Sequence, residues 1–209
     1  MDRRQSGIHI GTRGWLFPDD VSGFYPEDLP EDWCLELYTT QLHALELPPQ
    51  AAPPDPEAVA LWEAETLEDA ALALPLTGDW AVRLAAGGDL RPLADALAPL
   101  GDKLAVLLWP QKPPTAAERF WPQVTHLDAA ADVVGEPAPG TPPHSSGPSY
   151  RRLDGPGRHD PATIEALAGH LVQRAANGRE SYVLFGDPAY ALLDAMALQE
   201  AVERALAES

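Results

Sequence analysis

Three side chains that can hold or move charge stand at alternate positions of one short segment: Tyr150, Arg152 and Asp154 within Ser149-Tyr150-Arg151-Arg152-Leu153-Asp154-Gly155-Pro156. On an extended strand alternate residues face the same side, so these three point together while Arg151 and Leu153 point the other way. A guanidinium is a planar fork matched to carboxylate and phosphate, which makes Arg152 a candidate clamp for a small anion. An interior arginine must be paired, because an isolated buried charge is very costly; Glu46 and Asp154 are its candidate partners. Those two carboxylates are also the candidate catalytic pair. An acid and a base across a cleft is the arrangement of glycoside hydrolysis, and Asp154 beside Arg152 would suit a hydrolase or lyase. Without a ligand, the same residues read as a structural arginine–carboxylate network.

A second segment, Ile8-His9-Ile10-Gly11-Thr12-Arg13-Gly14-Trp15, also reads as a strand running into a glycine turn loaded with polar and aromatic groups. In strand–helix proteins, ligand sites are built at such strand ends. Arg13 adds a cation there. Trp15 either stacks on a planar ligand or packs into the core. Arg158 follows Gly155-Pro156-Gly157, a turn whose amides suit an oxyanion. Other chemistries find little support: there is no Gly-x-Ser-x-Gly elbow and no His-Glu-x-x-His helix. His126-x-Asp128 offers two metal donors, fewer than a metal site needs. No metal or cofactor is expected.

The elements that would position these groups alternate along the chain. Strands are predicted at Ile8–Thr12, Trp80–Leu84, Leu104–Trp109, Ser149–Leu153 and Ser181–Phe185, with a weaker one at Asp132–Gly135 and a short apolar segment at His43–Leu47. Helices are predicted over Glu31–Leu42, Glu57–Glu68, Leu90–Leu100, Ala116–Phe120, from Asp160-Pro161 to Asn177-Gly178, and over Ala189–Leu206. Proline-rich loops fall near 48–56 and 136–148. Strands alternating with helices imply parallel pairing through right-handed crossovers. With 209 residues against the roughly 250 of an eight-fold barrel, the expectation is one β/α domain over 1–209, with an incomplete or irregular set of strands.

Thirty-two carboxylates against fourteen basic residues, a net charge of -18, exclude a long nucleic acid as partner, since phosphate attraction needs a basic field. The basic residues are twelve arginines and only Lys103 and Lys112. A single cysteine, Cys34, forbids an internal disulfide and reads as a buried thiol. The longest apolar run, Leu104–Trp109, is too short for a bilayer, and Met1–Ser6 leads into no apolar stretch of the secretory kind. A cytoplasmic location is expected.

Gly11-Thr12-Arg13-Gly14-Trp15, followed by Phe24-Tyr25-Pro26 and Leu29-Pro30, resembles the opening of the YecE-like family (domain of unknown function 72), Gly-Thr-Ser-Gly-Trp then Phe-Tyr-Pro-x-x-Leu. Tyr150-Arg151-Arg152-Leu153-Asp154-Gly155 resembles its Tyr-x-Arg-x-His-Gly signature, and Tyr182-Val183-Leu184-Phe185-Gly186-Asp187 its final strand. The resemblance implies a TIM-like β/α barrel with no settled activity, and places Tyr150, Arg152 and Asp154 towards the barrel interior and mouth. It adds Asp187, at the place of paired asparagines, to the ligand-binding candidates. There are departures. Asp154 stands for the signature histidine, Pro48-Pro49-Gln50 replaces an asparagine-bearing stretch, a Lys…Thr-His stretch is missing after Leu84, and a strand is expected to be deleted between Trp109 and Asp132. The chain thus resembles a shortened, degenerate member. Its expected ligand is a small anion, phosphate or carboxylate. The alternatives are the hydrolase or lyase above and an interaction protein without an active site, whose exposed sheet edges a second copy would cover in a homo-oligomer.

Overall fold

The computed structural model describes residues 7–17, 24–134 and 148–208. Eight parallel strands form one curled sheet: β1 (Ile8–Arg13), β2 (Ala44–Glu46), β3 (Ala71–Pro75), β4 (Leu104–Trp109), β5 (Thr125–Asp128), β6 (Val133–Val134), β7 (Ser149–Leu153) and β8 (Ser181–Phe185). Their order is β5-β4-β3-β2-β1-β8-β7-β6. β1 therefore sits in the middle, pairing with β2 and β8, and the ladder ends at β5 on one side and the two-residue β6 on the other. The result is an incomplete TIM-like barrel. The predicted loop at 136–148 lies outside the described residues except for Pro148.

The helices are α1 (Cys34–Gln41), α2 (Pro56–Ala64), α3 (Gly78–Ala85), α4 (Arg91–Leu97), α5 (Ala117–Phe120), α6 (Pro161–Ala176) and α7 (Ala191–Ala207). α2 and α6 begin where the sequence marks them. Asp55 accepts from the amide of Glu57, Asp160 from those of Ala162 and Thr163, and a proline follows each cap. Such a cap contributes about 1 kcal/mol. Cys34 is buried, as expected.

Three readings need correction. Trp80–Leu84 is helix, not strand. Its alternation of apolar and polar residues disguises a helical spacing, with Ala81 and Leu84 the buried positions of α3. The strand of that unit is β3, Ala-Leu-Ala-Leu-Pro, whose Ala71 and Ala73 face the barrel interior while Leu72 and Leu74 face the helices. A strand covered on both faces shows no polar alternation. Third, a strand does exist between Trp109 and Asp132. β5 pairs with β4 from Val106↔Thr125 to Trp109↔Asp128. What is shortened is the connection. The Asp132 amide donates to the Asp128 carbonyl and the Asp128 amide to the Asp132 carboxylate, so a tight turn joins β5 to β6 where a crossover helix would run.

Two apolar layers result. Between sheet and helices lies the larger core, including Tyr38, Leu72, Trp109, Leu171, Val183 and Phe185. Inside the curl, a smaller core of Ala44, Ala71, Ala73, Val106, Leu108, Tyr150, Tyr182 and Leu184 fills the space below the strand ends. Small residues on β2 and β3 let the opposite wall bring in two tyrosines. At Gly11 the backbones of β1 and β2 close up: a Cβ there would lie 1.7 Å from the carbonyl oxygen of Ala44. The buried Tyr38 hydroxyl bridges the pair, accepting from the Thr12 amide at 2.9 Å and donating to Ala44 O at 2.8 Å. Among the described residues no helix is long and apolar enough to cross a membrane.

Candidate functional site

At the C-terminal ends of β1, β2 and β7, two arginines and a tyrosine meet around one carboxylate. Glu46 is the last residue of β2, and its side chain is 3% exposed. Its Oε1 accepts from Arg13 Nε at 2.9 Å and from Arg152 Nη2 at 3.0 Å. Its Oε2 accepts from Arg152 Nε at 2.8 Å and from the Tyr150 hydroxyl at 2.7 Å. Sheet register explains the convergence. Arg13 pairs with Glu46 directly across β1 and β2, and alternation along β7 turns Tyr150 and Arg152 inward towards it. Both oxygens are occupied by donors, as a buried carboxylate requires.

Arg152 thus has one of its two expected partners. Asp154 pairs instead with Arg13, whose Nη1 donates to Asp154 Oδ1 at 2.8 Å. That pair is open to solvent, with the side chains 38% and 49% exposed, and the four charges sum to zero. Burial pulls the Arg13 pKa down, but its hydrogen bond to Asp154 and the charges of Glu46 and Asp154 outweigh it, and the net shift is upward. Burial, then the Glu46 charge and hydrogen bond, hold the Tyr150 hydroxyl well above its ordinary value, so it stays a donor. Gly186, which the sequence comparison set beside Asp187 at the place of the paired asparagines, completes the arrangement. A Cβ at that residue would lie 1.9 Å from Asp154 Oδ1 and 3.1 Å from Arg13 Nη1.

The other sequence candidates are placed elsewhere. Trp15 packs with Phe17 and Phe24 against the core between sheet and helices, and its carbonyl accepts from the Tyr25 hydroxyl. Asp187 is a structural cap: its carboxylate accepts from the amides of Gly157 and Ala189, both at 3.0 Å. Those two amides lower its pKa. The glycine turn at Gly155–Gly157 therefore does receive an oxyanion, one supplied by the chain itself. Arg158 lies over α7, its Nε 3.5 Å from Asp194 Oδ1. Asp194, 2% exposed, was missed because it sits among helical positions; its Oδ2 accepts from the His159 amide at 3.0 Å and contacts His159 Nδ1 at 2.8 Å. Arg158, His159 and Asp194 line a cavity of about 340 Å³ against α6 and α7.

His126 and Asp128 do not form a pair of metal donors. His126 Nδ1 faces the Trp109 indole N–H and Nε2 faces the Trp121 carbonyl, each at 3.3 Å. Asp128 Oδ1 accepts from the Ala130 amide. Burial lowers the His126 pKa.

Comparison with known proteins agrees with this architecture. Two crystal structures of a DUF72 family protein from Enterococcus faecalis V583, at 3.10 and 2.52 Å resolution, superpose on the chain. The first has a TM-score of 0.62 at 13% identity, covering 94% of this chain and 95% of that one. The second has a TM-score of 0.58 at 12% identity, covering 94% and 97%. Identity this low speaks for the fold alone. No curated protein matches the chain. The sequence description of the family called "Protein of unknown function DUF72" matches residues 9–134, from β1 through β6 and more than half of the chain: the chain belongs to the DUF72 family.

Proposed function

We propose that the strand ends at Arg13, Glu46, Arg152 and Asp154 bind a small anion of the carboxylate or phosphate class. One observation carries this reading: two guanidiniums from separate strands are held side by side by a single buried carboxylate. Their mutual repulsion is offset from below, and Arg13 Nη2 and Arg152 Nη1 make no bond to either carboxylate. Preorganised forks of this kind suit a planar or tetrahedral oxyanion. Glu46 is the positioning group in this reading, since its oxygens are already filled. Asp154 is the group the anion competes with, because it occupies Arg13 from the solvent side.

The test is anion binding by calorimetry and thermal shift, using inorganic phosphate and small carboxylates. A single site at about 100 times its Kd raises stability by about 2.7 kcal/mol. Arg13→Gln should abolish the response at the mouth. Asp154→Asn should tighten binding by up to about fivefold, because an exposed ion pair of this kind contributes at most about 1 kcal/mol. Should Asp154→Asn abolish binding instead, Asp154 contacts the ligand itself, and the hydrolase or lyase reading becomes the better one. Absence of any response to phosphate or carboxylates would refute the anion reading.

A further inference from the structure

The carboxylate of Asp194, near the start of α7, is buried with one oxygen filled and the other not. Oδ2 accepts from the His159 amide and contacts His159 Nδ1. Oδ1 is buried and has no hydrogen-bond partner. Arg158 Nε lies 3.5 Å from it, an ion pair without a hydrogen bond. A buried acceptor left short of donors is costly. Here the residue that carries it lines the cavity of about 340 Å³ between α6 and α7, a volume at the small end of the range for small-molecule pockets.

The cover over Oδ1 is removable. The backbone beneath it is held, since Asp187 accepts from the Gly157 amide and Asp194 from the His159 amide. The Arg158 side chain, by contrast, is 58% exposed, so its guanidinium can swing into solvent while the loop stays in place. Little is lost, because an ion pair open to water contributes little. The group that replaces it must be a compact cation rich in donors, and a primary ammonium, with three N–H groups, is both.

The rest of the lining selects what the ammonium is attached to. Ala197 stands midway between Asp194 and Glu200 along α7, and Ile164 of α6 joins it in the wall; both suit methylene groups. Glu200 is the second carboxylate of the cavity that faces solvent without a cation: among the described residues no base pairs with it, whereas Glu165 and Arg204, which also line the cavity, pair with each other across the two helices. Asp194 and Glu200 are separated by a helical rise of about 9 Å. A short aliphatic chain with an ammonium at each end spans that interval, each head within hydrogen-bond reach of one carboxylate.

We infer that the cavity between α6 and α7 binds an aliphatic diamine, with one ammonium on Asp194 Oδ1 in place of Arg158 and the other at Glu200. The site is separate from the strand-end cluster. It shares none of Arg13, Glu46, Arg152 and Asp154, and it takes a ligand of the opposite charge.

The experiment is calorimetry on the full chain, titrating 1,4-diaminobutane and, separately, butylamine, which has the same carbon chain and one ammonium. Salt at about 0.15 M screens the general attraction of a chain with net charge -18 for any cation. Saturable binding of one diamine per chain is expected, with butylamine about fivefold weaker, because the contact at Glu200 faces solvent. Glu200→Gln should bring the diamine down to the level of butylamine. Arg158→Gln, which removes the competing cation, should tighten diamine binding by up to about fivefold. Both residues are exposed, so neither substitution disturbs the core. Asp194→Asn should abolish binding of both amines with the melting transition retained; if that variant does not fold, Arg158→Gln and Glu200→Gln decide. The site is overturned if the diamine does not bind, if butylamine binds equally well, if Arg158→Gln weakens binding, or if a folded Asp194→Asn still binds.

Discussion

Glu46→Gln is the sharpest perturbation of the strand-end cluster, because it changes one atom type and the charge while keeping volume. The carboxylate takes hydrogen bonds from Arg13, Tyr150 and twice from Arg152. The amide loses half of this acceptor capacity and turns an NH2 towards a site where the two guanidiniums can only donate. It also leaves two guanidiniums facing each other without the anion between them. Breaking a buried pair by neutralising one partner costs about 3–5 kcal/mol. Here the arginine side chains are 38% and 21% exposed, so solvent screens part of the loss, and about 2–3 kcal/mol is expected. For a chain of this length that is a fall of about 4–12 °C in Tm. Urea unfolding followed by circular dichroism at pH 7 measures it, with an unchanged m-value as the sign that the variant still folds in two states. Adding Arg152→Gln should restore part of the loss, because the second substitution removes one of the stranded cations. A loss under about 1 kcal/mol for Glu46→Gln would refute the reasoning: the cluster would then be a solvated surface network and no platform for a ligand.

Two other measurements probe the frame and its titration. Gly11→Ala should cost at least the roughly 3 kcal/mol at the upper end of overpacking, because its Cβ meets the backbone of Ala44 rather than a movable side chain. Gly169→Ala, in α6 with open space around it, should instead stabilise by about 0.5–1 kcal/mol; comparable melts for the two would contradict the close approach of β1 and β2. The lowered pKa of His126 has a definite sign. The unfolded chain binds a proton there more readily, so stability is complete above the ordinary value of 6.5 and declines as pH falls towards the folded value. The urea midpoint should drop between pH 7 and 5.5, less steeply in His126→Asn, and an identical slope in that variant would rule out the buried imidazole as a source.

The legible parts of this molecule were those whose signals are local. Asp160-Pro161 announces the start of α6, and Tyr150-x-Arg152-x-Asp154 announces a common face, because capping and strand alternation act within a few residues. β3 was missed although, like the β4 run that was read correctly, it is continuously apolar: its alternating alanine and leucine are good helix formers and it lacks the β-branched and aromatic residues that mark a strand. The partner of each charge was illegible too. Arg152 could have chosen Glu46 or Asp154. The outcome follows from register, since Arg13 lies directly beside Glu46 and its Nη1 reaches Asp154, leaving Arg152 to share Glu46. Asp187, read as a ligand donor from its place at a strand end, has its carboxylate on the amides of Gly157 and Ala189, a pairing that strand position does not announce. Arg151 is the instructive case. Strand alternation alone puts it on the outer face, where burial lowers its pKa and its charge in turn lowers those of His170 and Arg174. A charge that composition would assign to solvent thus becomes the one arginine of the Arg13, Arg151 and Arg152 set for which the described residues provide no carboxylate.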